Sequence, residues 1–511
     1  MALDLPSPSL MTEPKSSAPA ATPNSSEIHG SLARGIAWTG AAKWLTQLVT
    51  WGATLVVAHL LGPEAYGLVG MAGLFMGLVT MFTEFGLGTA IVSLRTLDWN
   101  QIAQINSVAV LLGVGGTLIT CAAAWPLSLF FHEPAVMWII IAMSTNFLIS
   151  AIRLVPYSLL QRDLKFKRLA MLESAQAIIF ALANMLFAWL GFGYWTLVIG
   201  AVISQTFGTV STLVLRRHGY ARPTPEGVRG VLKFSGHILI GRLAWYSYSN
   251  SDFAVAGKVL GKAALGAYSF AWQFAGIPID KITSLVTRVT PAYFAAAQDD
   301  NATIRKILLN VTEGIAFLTL PATVGISLVA KEFVPLVLGP EWTATIAPLQ
   351  VLCVYASYRS LVTLLPQILN VKGDARWTMW LGVITALVLP VSFFAGSHFG
   401  PVGIAWMWIL IYPIFTIPLY RRTFMRIEMP LRDYMAVLWS PIRGTLLMAA
   451  AVMATRLALP ESWPLALRCG LLATTGALVY AVTTALPQRE RLRKILAMVK
   501  TPPAKPAATN A

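Results

Sequence analysis

Apolar runs close to the length of a bilayer crossing follow one another along this chain, and no other feature restricts its fold as much. A helix needs about 20 mostly apolar residues to span the hydrocarbon core. Such runs fall at 34–60, 67–92, 103–127, 134–160, 169–191, 195–215, 234–257, 263–296, 304–330, 345–370, 377–397, 402–420, 440–458 and 463–486, which makes about fourteen. Only 12% of the residues are charged, half the share of about 25% found in soluble domains. The expected fold is therefore an all-α integral membrane protein. On such a chain the excess of 38 Lys+Arg over 22 Asp+Glu does not point to nucleic acid. Cations crowd cytoplasmic loops, where they set topology and meet anionic lipid.

Loop charge tests that reading. With the amino terminus inside, the inner loops hold Arg95, the cations of 162–168 and 216–233, Arg305, Lys306, Lys372, Arg376 and those of 421–432. The outer loops hold Lys258, Lys262, Lys331 and Arg456. Roughly eighteen against four is a strong positive-inside bias, so both termini are expected in the cytoplasm. Residues 1–33 are rich in Ser, Pro and Ala and read as a disordered cytoplasmic tail. They lack the basic start, short apolar core and cleavage site of a signal peptide. Residues 487–511 read as a second tail. The three cysteines, Cys121, Cys353 and Cys469, lie in apolar runs, and no Cys or His spacing suggests a metal or a cofactor.

An internal repeat organises the spans. "VVAHLLGPEAYGLVGMA" (Val56–Ala72) superimposes on "VAGKVLGKAALGAYSFA" (Val255–Ala271) through Leu61-Gly62-x4-Gly67 and Leu260-Gly261-x4-Gly266, an offset of 199. The first and seventh spans run the same way, so the halves are parallel repeats of six helices, 34–217 and 234–424. A linker, 218–233, joins them, and two further helices follow at 440–486. Parallel repeats belong to alternating-access transporters, whose substrate site lies between the halves.

The same offset places Lys43 on Arg242. A charge at the bilayer centre costs about 2.5–3.5 kcal/mol even on lenient scales, so a cation at equivalent depth in both halves needs a reason. Lys43, Thr46, Gln47 and Thr50 share one helical face; Arg242, Tyr246 and Ser249 share another. Two polar stripes, each headed by a cation, suggest a cavity that accepts an anion from the cytoplasmic side. Lys43 and Arg242 are its expected anion-binding residues, and Arg288 and Arg359 are further candidates. Gln47, Tyr246 and Asn250 are candidate polar contacts; Trp44, Trp51, Tyr248 and Trp272 add aromatic faces, although most of the 17 Trp belong to interfacial belts. Arg153, nearer a basic loop, is expected on lipid phosphate. Asp252 is the expected coupling-ion carboxylate, exposed to the cavity, with pairing to Lys281 as the structural alternative. Glu84 is a second, weaker coupling candidate that pairing with Arg95 or Lys43 also explains.

At these residues the chain resembles the Wzx-type polysaccharide flippases of the MOP exporter superfamily, on the lipopolysaccharide/exopolysaccharide branch. The resemblance is carried by "LLGPEAYGL" after the first span and "FTEFGLGTAIV" (Phe82–Val92) ending the second. "LVPYSLLQRDLKFKRLAMLE" (Leu154–Glu173) between the fourth and fifth is the most specific. "VTRVTPAYF" (Val286–Phe294), "LGPEWTATIAPLQVL" (Leu338–Leu352) and "FGPVGIAW" (Phe399–Trp406) complete it, covering about 34–424. The chain departs from the pattern at His59, where a turn arginine is usual, at the Asp280–Lys281 pair, and in its two helices beyond twelve. The resemblance implies two bundles rocking about a central cavity in the bacterial inner membrane. It implies transfer of an undecaprenyl-pyrophosphate-linked oligosaccharide from the cytoplasmic to the periplasmic leaflet. Its implied partners are that substrate, membrane lipid, a driving H+ or Na+, and a polysaccharide polymerase. Arg and Lys match a pyrophosphate by charge and bidentate geometry, and the implied sugars make Gln47, Tyr246 and Asn250 the candidate sugar contacts.

No catalytic constellation is visible: "FHEP" (Phe131–Pro134) is not HExxH, and no P-loop occurs. The expectation is a transporter and not an enzyme. A polysaccharide polymerase or ligase is the competing reading, but it would need a large charged outer loop. A cationic-drug exporter of the same superfamily would need acidic cavity walls.

Overall fold

The computed structural model describes residues 25–84, 86–94, 97–224, 246, 249–287 and 289–487, with side chains from Thr46 onward except those of Glu84, Leu285 and Ala485. Every regular element among them is helical. Helix α1 (Ser25–Glu84) is followed by α2 (Leu87–Ser93), α3 (Trp99–Phe131), α4 (Pro134–Arg162), α5 (Phe166–Trp189) and α6 (Trp195–Leu215). After the linker come α7 (Ser251–Val255), a π-helical turn (Ala256–Leu260), α8 (Gly261–Thr287), α9 (Thr290–Ala296) and α10 (Asn301–Val337). A 3-10 turn (Pro340–Thr345) leads to α11 (Ile346–Val362), α12 (Leu365–Val371), α13 (Ala375–Ser397), α14 (Gly400–Leu410) and α15 (Tyr412–Arg426). The chain ends with α16 (Leu431–Ala458) and α17 (Leu465–Tyr480).

Eleven helical stretches among the described residues are long and apolar enough to cross a membrane. One of them, Thr46–Ser93, has 48 residues. At 1.5 Å per residue that is about twice the hydrocarbon thickness, so it holds two crossings. The break is Gly62, with φ 70° and ψ 174°, a conformation closed to L side chains. Helix α8, which carries Lys262, Gln273, Asp280 and Lys281, lies outside the eleven. The expected seventh span, 234–257, falls largely outside the described residues. Helix already runs from Ser25, where a tail to residue 33 was expected. Ser25, Ser26 and Glu27 form a helix-start sequence.

Local chemistry fixes the helix starts. Asp98 Oδ1 accepts from Gln101 N at 2.6 Å, and Gln101 Oε1 accepts from Asp98 N at 3.1 Å, a reciprocal cap on α3. Asp300 caps α10 through Ala302 N and Thr303 N. Within lipid, helices gain little from burying apolar surface and rely on close packing and interhelical hydrogen bonds. Accordingly Thr319 meets Ser360 at 2.9 Å and Thr323 meets Ser357 at 2.5 Å, joining α10 to α11. At the cationic end of the molecule, Asp374 takes two bonds each from Arg422 (3.0 and 2.8 Å) and Arg426 (2.6 and 2.8 Å). This ties the start of α13 to the end of α15.

The two helices beyond twelve are fastened to the second half. Glu332 of α10 is buried and accepts from Arg456 of α16 at 2.6 Å, with Arg468 of α17 at 3.6 Å. Arg456, expected to act as an outer-loop charge, is thus paired inside a helix bundle. Tyr480 adds a 2.8 Å bond to Phe317 O.

Candidate functional site

The repeat has a physical counterpart where the halves meet. Gly261, the equivalent of Gly62, has φ 82° and ψ −176°, so both outward helices turn through the same backbone shape. Five residues on, Gly67 and Gly266 cross. A Cβ on Gly67 would lie 1.8 Å from Lys262 O, and one on Gly266 would lie 1.9 Å from Pro63 O. Pro63 and Lys262 are themselves repeat equivalents, so the contact is two-fold symmetric. Only glycine permits it. Around the crossing, Trp342 donates from Nε1 to Ala58 O at 3.1 Å and packs on Phe270, centroids 4.4 Å apart, and Tyr66. Lys262 bridges Glu64 at 3.4 Å and Glu133 at 3.5 Å, so the second half also holds the first by charge.

Toward the cationic end, the interface between halves changes from glycine to polar side chains. Lys281 on α8 donates from Nζ to Gln47 Oε1 on α1 at 3.1 Å and lies 6.0 Å from the centre of the Trp51 ring. Lys281 and Asp280 are both exposed, and neither has an ion-pair partner among the described residues. A membrane cation that faces the opposite half, with no ion-pair partner among the described residues, is suited to meet an anion. One layer away, Arg359 of α11 stacks at 5.7 Å over Trp272, which packs against Trp408 and Phe253.

The expected site residues divide. Gln47 belongs to this cleft, and Arg359 borders it. Arg242 and Arg288 lie outside the described residues, as do the side chains of Lys43 and Glu84. Tyr246 and Asn250 have structural partners: Tyr246 donates to Leu74 O at 2.7 Å, crossing between halves, and Asn250 Nδ2 bonds Tyr246 O at 3.0 Å. Asp252 is not exposed to a cavity, contrary to expectation. It is fully buried, and its carboxylate accepts from Tyr268 at 2.8 Å and Trp408 Nε1 at 3.1 Å. Nor does it pair with Lys281, which reaches to the other half. Arg153 is not on the lipid surface either; its Nη1 donates to Gln176 Oε1 at 2.7 Å inside the first half. Lys281 was missed as a site residue. Its signal was the unexpected charge pair deep in an apolar span, which marks function by default.

The solved structures share this all-helical fold. The fold matches that of a lipid II flippase, MurJ, in an inward closed conformation, with a TM-score of 0.71 over 89% of this chain and 99% of that one, at 14% identity. It also matches an inward-facing multidrug resistance MATE family transporter of the MOP superfamily, with a TM-score of 0.61 over 75% and 94%, at 16% identity. The chain belongs to the polysaccharide biosynthesis protein family, whose model matches residues 56–347. Its relatives include the lipopolysaccharide biosynthesis protein WzxC of Escherichia coli (strain K12), 25% identical over 76% of this chain and 80% of that one. The succinoglycan biosynthesis transport protein ExoT of Rhizobium meliloti (strain 1021) is 24% identical over 92% and 96%. The chain is thus a multi-pass membrane protein of the polysaccharide biosynthesis family.

Proposed function

We propose that this protein flips an undecaprenyl-pyrophosphate-linked oligosaccharide from the cytoplasmic to the periplasmic leaflet by alternating access. The observation that carries the reading is Lys281, a cation at the boundary of the two halves beside Gln47 and Trp51 that has no ion-pair partner among the described residues. A pyrophosphate brings about two negative charges to such a place, and charge-assisted hydrogen bonds are roughly twice as strong as neutral ones. Lys43 and Arg242, cationic equivalents on the first and seventh spans, complete the anion site, with Arg288 and Arg359 as later contacts and Glu84 as a second acid. Gln47 and Trp51 offer a sugar an amide and an aromatic face. The glycine crossing closes the opposite end, and substrate release there requires it to part. Asp252 is the coupling acid in this scheme. Being buried, it would act by changing its bonds to Tyr268 and Trp408 and not by meeting substrate.

The test is transfer in proteoliposomes of a fluorescent undecaprenyl-pyrophosphate oligosaccharide, followed by accessibility to an added glycosidase. Lys281→Gln, Lys43→Ala and Arg242→Ala should each slow transfer sharply, while Lys281→Arg should retain most of it. Wild-type rates in all three neutral variants would remove the anion site from the cleft.

A further inference from the structure

A groove runs along the second half between the end of α15 and the start of α16. It has a volume of about 900 Å³, within the range of small-ligand sites. Tyr420, Phe424 and Tyr434 close its floor, their ring centres 5.2 to 5.7 Å apart. Its rims, Ile417 and Met425 on α15 and Leu431 and Met435 on α16, are exposed, so the groove is open from the side. The two helices rest on different neighbours. Arg422 and Arg426, one turn apart, both reach Asp374 and draw the end of α15 toward α13. Tyr434 donates to Leu361 O at 3.3 Å and seats the start of α16 on α11. A gap remains between them beside the turn that joins them.

Two charged side chains stand among the apolar lining, Arg421 and Glu428. Arg421 lies about 100° round the helix from Arg422, so it faces the groove and not Asp374. Glu428 comes about two turns later, where its backbone carbonyl accepts from Arg305 at 2.8 Å. Both side chains are exposed, they do not pair with each other, and neither has an ion-pair partner among the described residues.

These charges decide what fits. A hydrocarbon tail gains little on leaving the bilayer for an apolar groove, because lipid tails are as apolar as leucine. Selection therefore falls to the headgroup. A fixed cation and a fixed anion, each left unmatched, are complementary to a zwitterion. A phosphodiester suits the guanidinium by charge and bidentate geometry, and an ammonium brings N–H donors to the carboxylate. A purely anionic headgroup would meet Arg421 but leave Glu428 facing a like charge. A pyrophosphate, with no ammonium, fails in the same way. Depth agrees with a lipid: Arg422, next to Arg421, reaches Asp374 outside the membrane, while Leu438 and Ile442 carry the groove toward the bilayer interior.

We propose that this groove binds a zwitterionic glycerophospholipid with an ammonium headgroup. Its phosphate sits on Arg421, its ammonium on Glu428 and an acyl chain over the aromatic floor. The groove is apart from the cleft between the halves, and the proposal stands whether or not that cleft binds pyrophosphate.

Delipidated full-length protein, titrated with equimolar dioleoyl phosphatidylethanolamine and dioleoyl phosphatidylglycerol and read by native mass spectrometry, tests this. The first lipid retained should be phosphatidylethanolamine, about tenfold over phosphatidylglycerol, as one charge-assisted contact provides. Glu428→Gln should abolish that preference, and Glu428→Asp should keep most of it. Arg421→Gln should lower retention of both lipids, and Arg421→Lys should restore part. Met435→Trp, which adds bulk at an exposed rim, should exclude the lipid while leaving both charges in place. Equal retention of the two lipids by the wild type overturns the proposal. A preference that survives both Glu428→Gln and Met435→Trp would put the lipid elsewhere and also overturns it. So does full displacement of phosphatidylethanolamine by equimolar undecaprenyl phosphate, which would make the groove a polyprenyl site.

Discussion

Gly62 and Gly261 occupy equivalent places in the two halves and share one backbone shape. Ala53 and Asp252 are also sequence equivalents, yet one is a buried methyl and the other a buried carboxylate bonded to two aromatic side chains. Phe82 and Lys281 stand in the same relation, at the same distance after the turn glycines Gly62 and Gly261. Even the helix leading to the turn differs, since the second half carries a π-helical turn at Ala256–Leu260. Duplication has preserved the glycines that let the halves touch, while at these two pairs of positions the charge stands in the second half alone. Geometry at the joint must match its mirror partner. A cation or acid aimed at a single substrate has no such obligation.

The sharpest way to break this comparison is at the crossing. Gly67→Val and Gly266→Val should be equally damaging, each costing about 3 kcal/mol or more because the added carbons overlap a carbonyl. Thermal unfolding in detergent and complementation of polymer export would measure it, and tolerance of one but not the other would deny the symmetry. Next comes the unequal pair. Lys281→Gln should reduce export about tenfold, the equivalent of one charge-assisted contact, while Phe82→Gln should stay within about twofold. Similar losses from both would mean that the position matters and the charge does not.

A smaller effect is expected from Asp252→Asn, which keeps one acceptor but sets an amide N–H₂ against existing donors, for about 1–2 kcal/mol of stability. Transport should also lose its response to an imposed ion gradient. An unchanged response, with the stability loss, would make Asp252 a structural group. The smallest effect belongs to Asp374, outside the membrane. Its bonds to Arg422 and Arg426 hold its carboxyl well below the usual carboxylate range. A carboxyl depressed in the folded state contributes stability above its unfolded pKa of about 3.9 and loses it as pH falls toward the folded value. The melting temperature should therefore show no pH dependence from this group between about pH 5 and 8, where its contribution is fully present, and a decline below about pH 4. That decline should be absent in Asp374→Asn.

How far each of these features could be read beforehand follows from the distance over which it is determined. Eleven membrane-length stretches among the described residues and the turn glycines are written in local runs and in a short motif, and they were legible, while the expected count of about fourteen spans is not matched among them. The symmetric approach of Gly67 to Gly266 was not; the sequence marks the glycines but not what they face. Lys281 and Gln47 lie 234 residues apart, and no periodicity links them. Asp252 was misread as cavity-facing because a membrane acid prompts a search for a cation. Its real partners, an O–H and an indole N–H, carry no charge to signal them. Arg153 was assigned to lipid from its nearness to a basic loop, and Gln176, which draws it inward, sits on another helix.

Where Gly67 and Gly266 meet, no side chain has to choose a rotamer when the halves come together, and none regains freedom when they part. Side-chain ordering, which costs up to about 2 kcal/mol per long residue elsewhere, is almost absent from this joint. Much of the bias between joined and parted states then falls to the neighbouring charges, Lys262 with Glu64 and Glu133, which stand at the partly exposed rim. Exposed pairs weaken as salt shortens the Debye length, about 10 Å at 0.1 M and about 3 Å at 1 M. The ease with which this end of the protein opens is therefore tuned by the ionic strength of the fluid that bathes it.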